Sequence, residues 1–167
     1  MNIKGLLILG IMVILAGCGA EPVTKVNSTN PTVTEQKAPT KVYNVGETLK
    51  IGDTDLTITK ATIESPEQYV TANKGNVLVL SIEGMNKGSQ SWFLSDTDFN
   101  LYDKTGGKLE AYYSGQDTSV FGGEINQGKK VSGKIRFDVS KADSYELVYK
   151  PNFLTDQEVK FNIKPSK

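Results

Sequence analysis

The chain has 167 residues, enough for one domain with appendages and too few for two ordinary domains. Lysine plus arginine and aspartate plus glutamate both number 19, a balance that argues against a dedicated nucleic-acid binder. There is no histidine and one cysteine, which removes the commonest general base and metal ligand near neutral pH and rules out an internal disulfide or a thiolate zinc cluster.

Lys4 gives the N-terminus a short positive head, and residues 5–15 are almost purely apolar. In a helix that run rises about 16 Å, roughly half the hydrocarbon core of a bilayer. It reads as a signal-peptide core and not as a membrane span. Ala16 and Gly17 follow, and then Cys18. The segment Leu15-Ala16-Gly17-Cys18 resembles the lipobox of bacterial lipoproteins. The resemblance implies cleavage of residues 1–17 and a diacylglyceryl group on the Cys18 thiol. One acyl chain binds a membrane marginally, whereas two bind it stably.

Residues 18–41 change composition abruptly to Thr, Asn, Pro and Ser with isolated Val and no aromatic. Such a stretch cannot bury enough apolar surface to offset the entropy of ordering it. It is expected to be a disordered tether, with a root-mean-square span of about 25 Å and a full reach of about 75 Å. An edge strand through Val23 and Val26 is the alternative.

From Val42 the pattern turns to short runs of period 2, and residues 42–167 are expected to form an all-β domain. Leu49 and Ile51 make a short strand. Leu56 and Ile58 hand over to Ala61 and Ile63 with a phase slip that predicts a bulge near Lys60. Val77-Leu78-Val79-Leu80 is continuously apolar, as expected of a strand covered on both faces. Phe99 and Leu101 precede Asp103-Lys104-Thr105-Gly106-Gly107, and Leu109, Ala111 and Tyr113 follow, which predicts a β-hairpin. Val131, Gly133, Ile135, Phe137 and Val139 alternate with Lys130, Ser132, Lys134, Arg136 and Asp138, giving one apolar and one solvent face. Residues 140–143 are expected to close one helical turn. Tyr145, Leu147 and Tyr149, and then Val159, Phe161 and Ile163, complete about eight strands. The pattern predicts an immunoglobulin-like antiparallel β-sandwich, with a closed barrel as the alternative.

The order of Tyr43-Asn44-Val45-Gly46-Glu47, Gly75-Asn76-Val77-Leu78-Val79-Leu80, Phe99-Asn100-Leu101-Tyr102-Asp103 and Gly133-Lys134-Ile135-Arg136-Phe137-Asp138-Val139 resembles an uncharacterised family of Gram-positive lipoproteins with an immunoglobulin-like domain. That family is related in fold to a secreted mycobacterial immunogenic antigen. The resemblance implies a fold and an extracytoplasmic, lipid-anchored address on the cell membrane. It implies no functional residue beyond Cys18.

Several residue groups invite a chemical reading. Asp53-Thr54-Asp55 and Asp96-Thr97-Asp98 repeat one tripeptide, and carboxylates two apart are a start on a calcium cage. Neither run continues to the glycine that a helix–loop–helix calcium loop requires, so Asp53, Asp55, Asp96 and Asp98 are expected to cap turns. No metal or cofactor is expected. A glycosidase needs two carboxylates across a cleft, and no acidic pair stands out by its apolar setting. Trp92 is expected in the core. Alternation puts Tyr112 opposite Leu109 and therefore exposed. With Phe121 and the long glycine-rich loop 114–128, it marks a contact surface. Lys130, Lys134 and Arg136 share one strand face and Lys160 and Lys164 another, and the two would merge into a basic patch if the strands were neighbours.

The expected function is therefore a non-catalytic binding or interaction module at the cell surface. Its partners would be membrane lipid through acylated Cys18 and an envelope protein or cell-wall polymer, with no nucleic acid. A structural or accessory envelope lipoprotein, or a surface antigen without a discrete ligand, is the alternative, followed by a histidine-free enzyme.

Overall fold

The structure, a computed structural model, describes residues 41–113, 121–151 and 158–166. The lipobox residues Leu15, Ala16, Gly17 and Cys18, the tether as far as residue 40 and loop residues 114–120 lie outside the described residues. The described chain is built from strands, joined by one 3-10 turn at Asp96–Asp98. Among the described residues no helix is long and apolar enough to cross a membrane.

In chain order the strands are β1 (Val42–Asn44), β2 (Thr48–Ile51), β3 (Thr54–Glu64), β4 (Asn76–Asn86), β5 (Trp92–Ser95), β6 (Phe99–Tyr102), β7 (Lys108–Leu109), β8 (Gly122–Ile125), β9 (Lys130–Val139), β10 (Tyr145–Tyr149) and β11 (Val159–Ile163). They form a five-stranded sheet in the order β1-β11-β10-β6-β7, a four-stranded sheet β2-β3-β4-β9 and a two-stranded sheet β5-β8. All pairings are antiparallel except β1 with β11. The two larger sheets face each other as a sandwich, as the alternation predicts. Leu56, Ile58, Leu78, Leu80 and Ile82 meet Leu101, Leu147, Tyr149, Phe161 and Ile163 in one core. The bulge falls between Ile58 and Lys60, where the β3–β4 register shifts and Ala61 takes over the inward position.

Three strands escape the alternation pattern. β1 is three residues long, β5 offers only Trp92 and Leu94 inward, and β8 opens on Gly122-Gly123, residues with little strand preference. The helical turn expected at 140–143 is absent. Tyr145 takes its place, its hydroxyl donating to Ser140 O at 2.7 Å and accepting from Ala142 N at 3.0 Å. This tyrosine corner satisfies backbone groups that a helical turn would have paired. The two basic strands also lie apart, β9 in the four-stranded sheet and β11 in the five-stranded one. The merged patch of Lys130, Lys134, Arg136, Lys160 and Lys164 therefore does not form. Lys160 instead pairs with Glu146 on the neighbouring strand at 3.0 Å.

Gly133 interrupts the apolar face of β9 for a packing reason. A β-carbon there would collide with the Phe121 ring, which fills the space the glycine leaves. Overfilling a packed core costs roughly 1–3 kcal/mol. Gly133→Ala is expected to lower stability by about that amount in denaturant unfolding, and an unchanged midpoint would show that Phe121 is not seated against this strand.

Candidate functional site

Tyr112 is 6% exposed, contrary to the expectation from alternation. The reason is a change of sheet. β7 ends at Leu109, and the chain crosses to β9, where Ala111 bridges Phe137, Tyr112 N donates to Arg136 O and Asp138 N donates to Glu110 O, each at 2.9 Å. The crossing breaks the period-2 phase, and Tyr112 lies down on Val77 and Val79, with Val70 and Ala72 beside it. Its hydroxyl donates to Val70 O at 3.1 Å and accepts from Glu67 N at 2.9 Å.

Asp138 was expected on the solvent face of β9 and is buried instead. Its two carboxylate oxygens accept from Asn73 N at 2.7 Å and Lys74 N at 2.9 Å. Loop 65–75 is thus held at four backbone groups by two buried side chains. It presents Tyr69, 94% exposed and with φ of +70°, a left-handed conformation that a bulky side chain rarely adopts. Tyr113, next to the buried Tyr112, is 72% exposed. The exposed tyrosines of this region are Tyr69 and Tyr113 instead of Tyr112.

Where the β6–β7 edge of one sheet approaches β9 of the other, a crevice of about 370 Å³ opens. Phe99, Leu109, Phe121, Ile135 and Phe137 supply its apolar lining, all of them buried. Lys108, Lys134 and Arg136 stand at its rim with Asp96 and Glu110. Of the residues expected to form a binding surface, Tyr112, Phe121, Lys134 and Arg136 line this crevice, whereas Lys130 does not. Phe121 contributes as lining and not as an exposed platform, because its ring packs over Gly133 and tilts against Phe99 at 6.4 Å. A cavity of this size, apolar inside with a few charged groups at its mouth, has the form of a small-ligand or side-chain pocket.

The two Asp-Thr-Asp runs serve local structure. Asp55 pairs with Lys87, and Asp53 O accepts from Lys87 N at 2.8 Å. Ser95 caps the 3-10 turn, and Asp98 Oδ2 reaches back to Ser95 N at 2.9 Å. Among the described residues no group of three or more acidic or cysteine side chains is gathered so as to hold a metal ion. Beneath this turn lies a buried polar trio of Asp98, Tyr149 and Trp92. Burial holds the Tyr149 hydroxyl well above the usual phenol range, and the charge of Asp98 adds to that; Trp92 opposes it. Trp92 itself is in the core, as expected.

A family model for a domain of unknown function, DUF4352, matches residues 43–160. The uncharacterized lipoprotein YjhA of Bacillus subtilis is 27% identical over 137 residues, covering 72% of this chain and 63% of YjhA. The chain therefore spans less than two thirds of that relative. The crystal structure of YjhA superimposes with a TM-score of 0.56 at 25% identity, over 75% of this chain and all of that one. YcdA of Bacillus subtilis gives 0.62 at 24% identity over 72% of this chain and 39% of its own. The secreted protein MPT63 of Mycobacterium tuberculosis gives 0.56 at 17% identity over 77% of this chain and 99% of its own. The expected kinship with Gram-positive lipoproteins is met, and so is the likeness in fold to a secreted mycobacterial protein.

Burial raises the Asp98 carboxyl above its ordinary range; the Ser95 N–H bond opposes this and the nearby Asp96 charge reinforces it. As the pH climbs from the ordinary carboxylate range through the raised value, the unfolded chain ionises this acid before the folded protein does. The folded state then binds the extra proton, so this group's contribution to stability falls across that window. Asp98→Asn keeps an acceptor for Ser95 and is expected to remove that fall in a series of urea midpoints against pH. A profile superimposable on that of the unsubstituted protein contradicts the assignment.

Proposed function

The chain belongs to the DUF4352 family, and on that premise we propose that it is a lipid-anchored, extracytoplasmic binding module with no catalytic step. The anchor is Cys18, cleaved from Leu15-Ala16-Gly17 and diacylated, and the kinship with the lipoprotein YjhA supports it. In this reading residues 42–167 are the domain and residues 18–41 the linker between it and the anchor.

The crevice between β6–β7 and β9 carries the binding reading. Its buried aromatic and aliphatic lining suits an apolar anchor of an envelope protein, and its mixed rim of Lys108, Lys134, Arg136, Asp96 and Glu110 suits a polar surround. Tyr113 stands at the rim as a large exposed aromatic of the kind that binding surfaces use. The non-catalytic reading is supported by composition: the chain has no histidine, the commonest general base near neutral pH.

Intact-mass and crosslinking measurements in bacteria with native lipoprotein processing test both halves. The membrane fraction is expected to hold a chain lacking residues 1–17 with a diacylglyceryl mass on Cys18, and Cys18→Ala to leave the full-length precursor. The photo-reactive Tyr113→p-benzoylphenylalanine is expected to give a discrete protein adduct that weakens on adding Lys134→Glu. The same probe at the exposed Lys50 on β2 is expected to give none. An unlipidated mass overturns the anchor, and equal adducts from both positions overturn the crevice as the contact surface.

A further inference from the structure

We propose that the solvent face of the five-stranded sheet is a second binding site, distinct from the crevice, and that its ligand is a neutral oligosaccharide. The strand registers place its side chains. Tyr102 on β6 lies opposite Glu146 on β10, Glu146 opposite Asn162 on β11, and Asn162 opposite Asn44 on β1. One step along, Lys160 on β11 and Val42 on β1 lie on the same face over the buried Val148 of β10, since residues two apart in a strand share a side. Together these side chains make a band of phenol, amide, carboxylate and ammonium groups running across four strands.

The face is concave. A trough of about 680 Å³ lies over it, walled at one end by the turn at 103–106. That wall is rigid: Asp103 Oδ1 accepts from Thr105 N, Thr105 Oγ1 and Gly107 N at 2.8, 2.7 and 2.9 Å. The floor is carried on paired strands, with Lys160 and Glu146 fixing each other at 3.0 Å. A site already rigid before binding loses less entropy on binding.

The charges identify the ligand class. Asp103, Glu146 and Glu158 line the trough against Lys104 and Lys160. This leaves the trough one carboxylate in excess, too small a net charge to gather a polyanion or a polycation. The groups that remain donate and accept hydrogen bonds in close alternation, as sugar hydroxyls require, because each hydroxyl does both. Tyr102 adds a ring, and Val42, half exposed beside Lys160, adds an apolar spot for the C–H face of a pyranose. A protein partner would call for a larger exposed apolar patch than this face offers.

The test uses the folded chain titrated with a panel of neutral tetrasaccharides: chitotetraose, cellotetraose and maltotetraose. Backbone amide shifts in nuclear magnetic resonance report where each binds. At least one is expected to bind saturably, to shift the amides around Tyr102, Glu146 and Asn162, and to hold its affinity when salt is added. Tyr102→Ala and Asn162→Ala are each expected to weaken it about tenfold or more. Asn162→Asp, nearly unchanged in size, keeps the test open if an alanine variant fails to fold, and it too is expected to weaken binding. Shifts confined to the crevice overturn the proposal. So does the absence of saturable binding across the panel, or affinity unchanged in all folded variants.

Discussion

The first half of β4 is apolar on both faces, and the rest of the molecule is arranged to cover it. Leu78 and Leu80 point into the sandwich core, while Val77 and Val79 point the other way and are just as deeply buried. Burying a valine side chain is worth roughly 1.5–3 kcal/mol, so leaving two of them on an open sheet face would forfeit several kcal/mol. The cover comes from Tyr112, Val70 and Ala72. A cover made of loop must satisfy its own backbone groups, and the Tyr112 hydroxyl and Asp138 carboxylate do this for loop 65–75. Holding Tyr69 in a left-handed conformation costs about 1–2 kcal/mol, less than the two valines gain. The strained, exposed tyrosine is thus sustained by the packing beneath it.

Much of this was legible in the residues, where one strand face is buried and the other wet. The alternation from Val131 to Val139, the hairpin around Asp103 and the slip near Lys60 each correspond to an observed element. The continuous run Val77-Leu78-Val79-Leu80 announced that a second cover must exist, but not which residues supply it. Tyr112 was misplaced because alternation assumes an unbroken strand, and the chain changes sheets at Glu110. Asp138 was misplaced for a related reason. It neighbours Val77 in the register and shares its covered face, a consequence visible only once β4 and β9 are paired. The two glycines opening β8 carry no periodic signal, and the alternation that marks Tyr145 as an inward residue of β10 says nothing of the backbone bonds its hydroxyl makes.

The same constraint shapes the crevice. Because the chain leaves β7 to help cover β4, the two large sheets are linked at that edge, and the crevice lies where they approach. The apolar lining of the crevice comes from the core itself, and its charged mouth from residues flanking the crossing. The opposite face of the five-stranded sheet needs no cover beyond its own polar side chains.

Amide hydrogen exchange across residues 65–75 tests the central arrangement most directly. If the loop is the cover, the amides of Glu67, Val70, Asn73, Lys74 and Gly75, all donors in the structure, exchange slowly, while those of Gln68, Tyr69 and Thr71 exchange near the free rate. Uniformly fast exchange through the loop, beside a protected β4, would mean that Val77 and Val79 are shielded in some other way and that the surface built on Tyr112 does not exist.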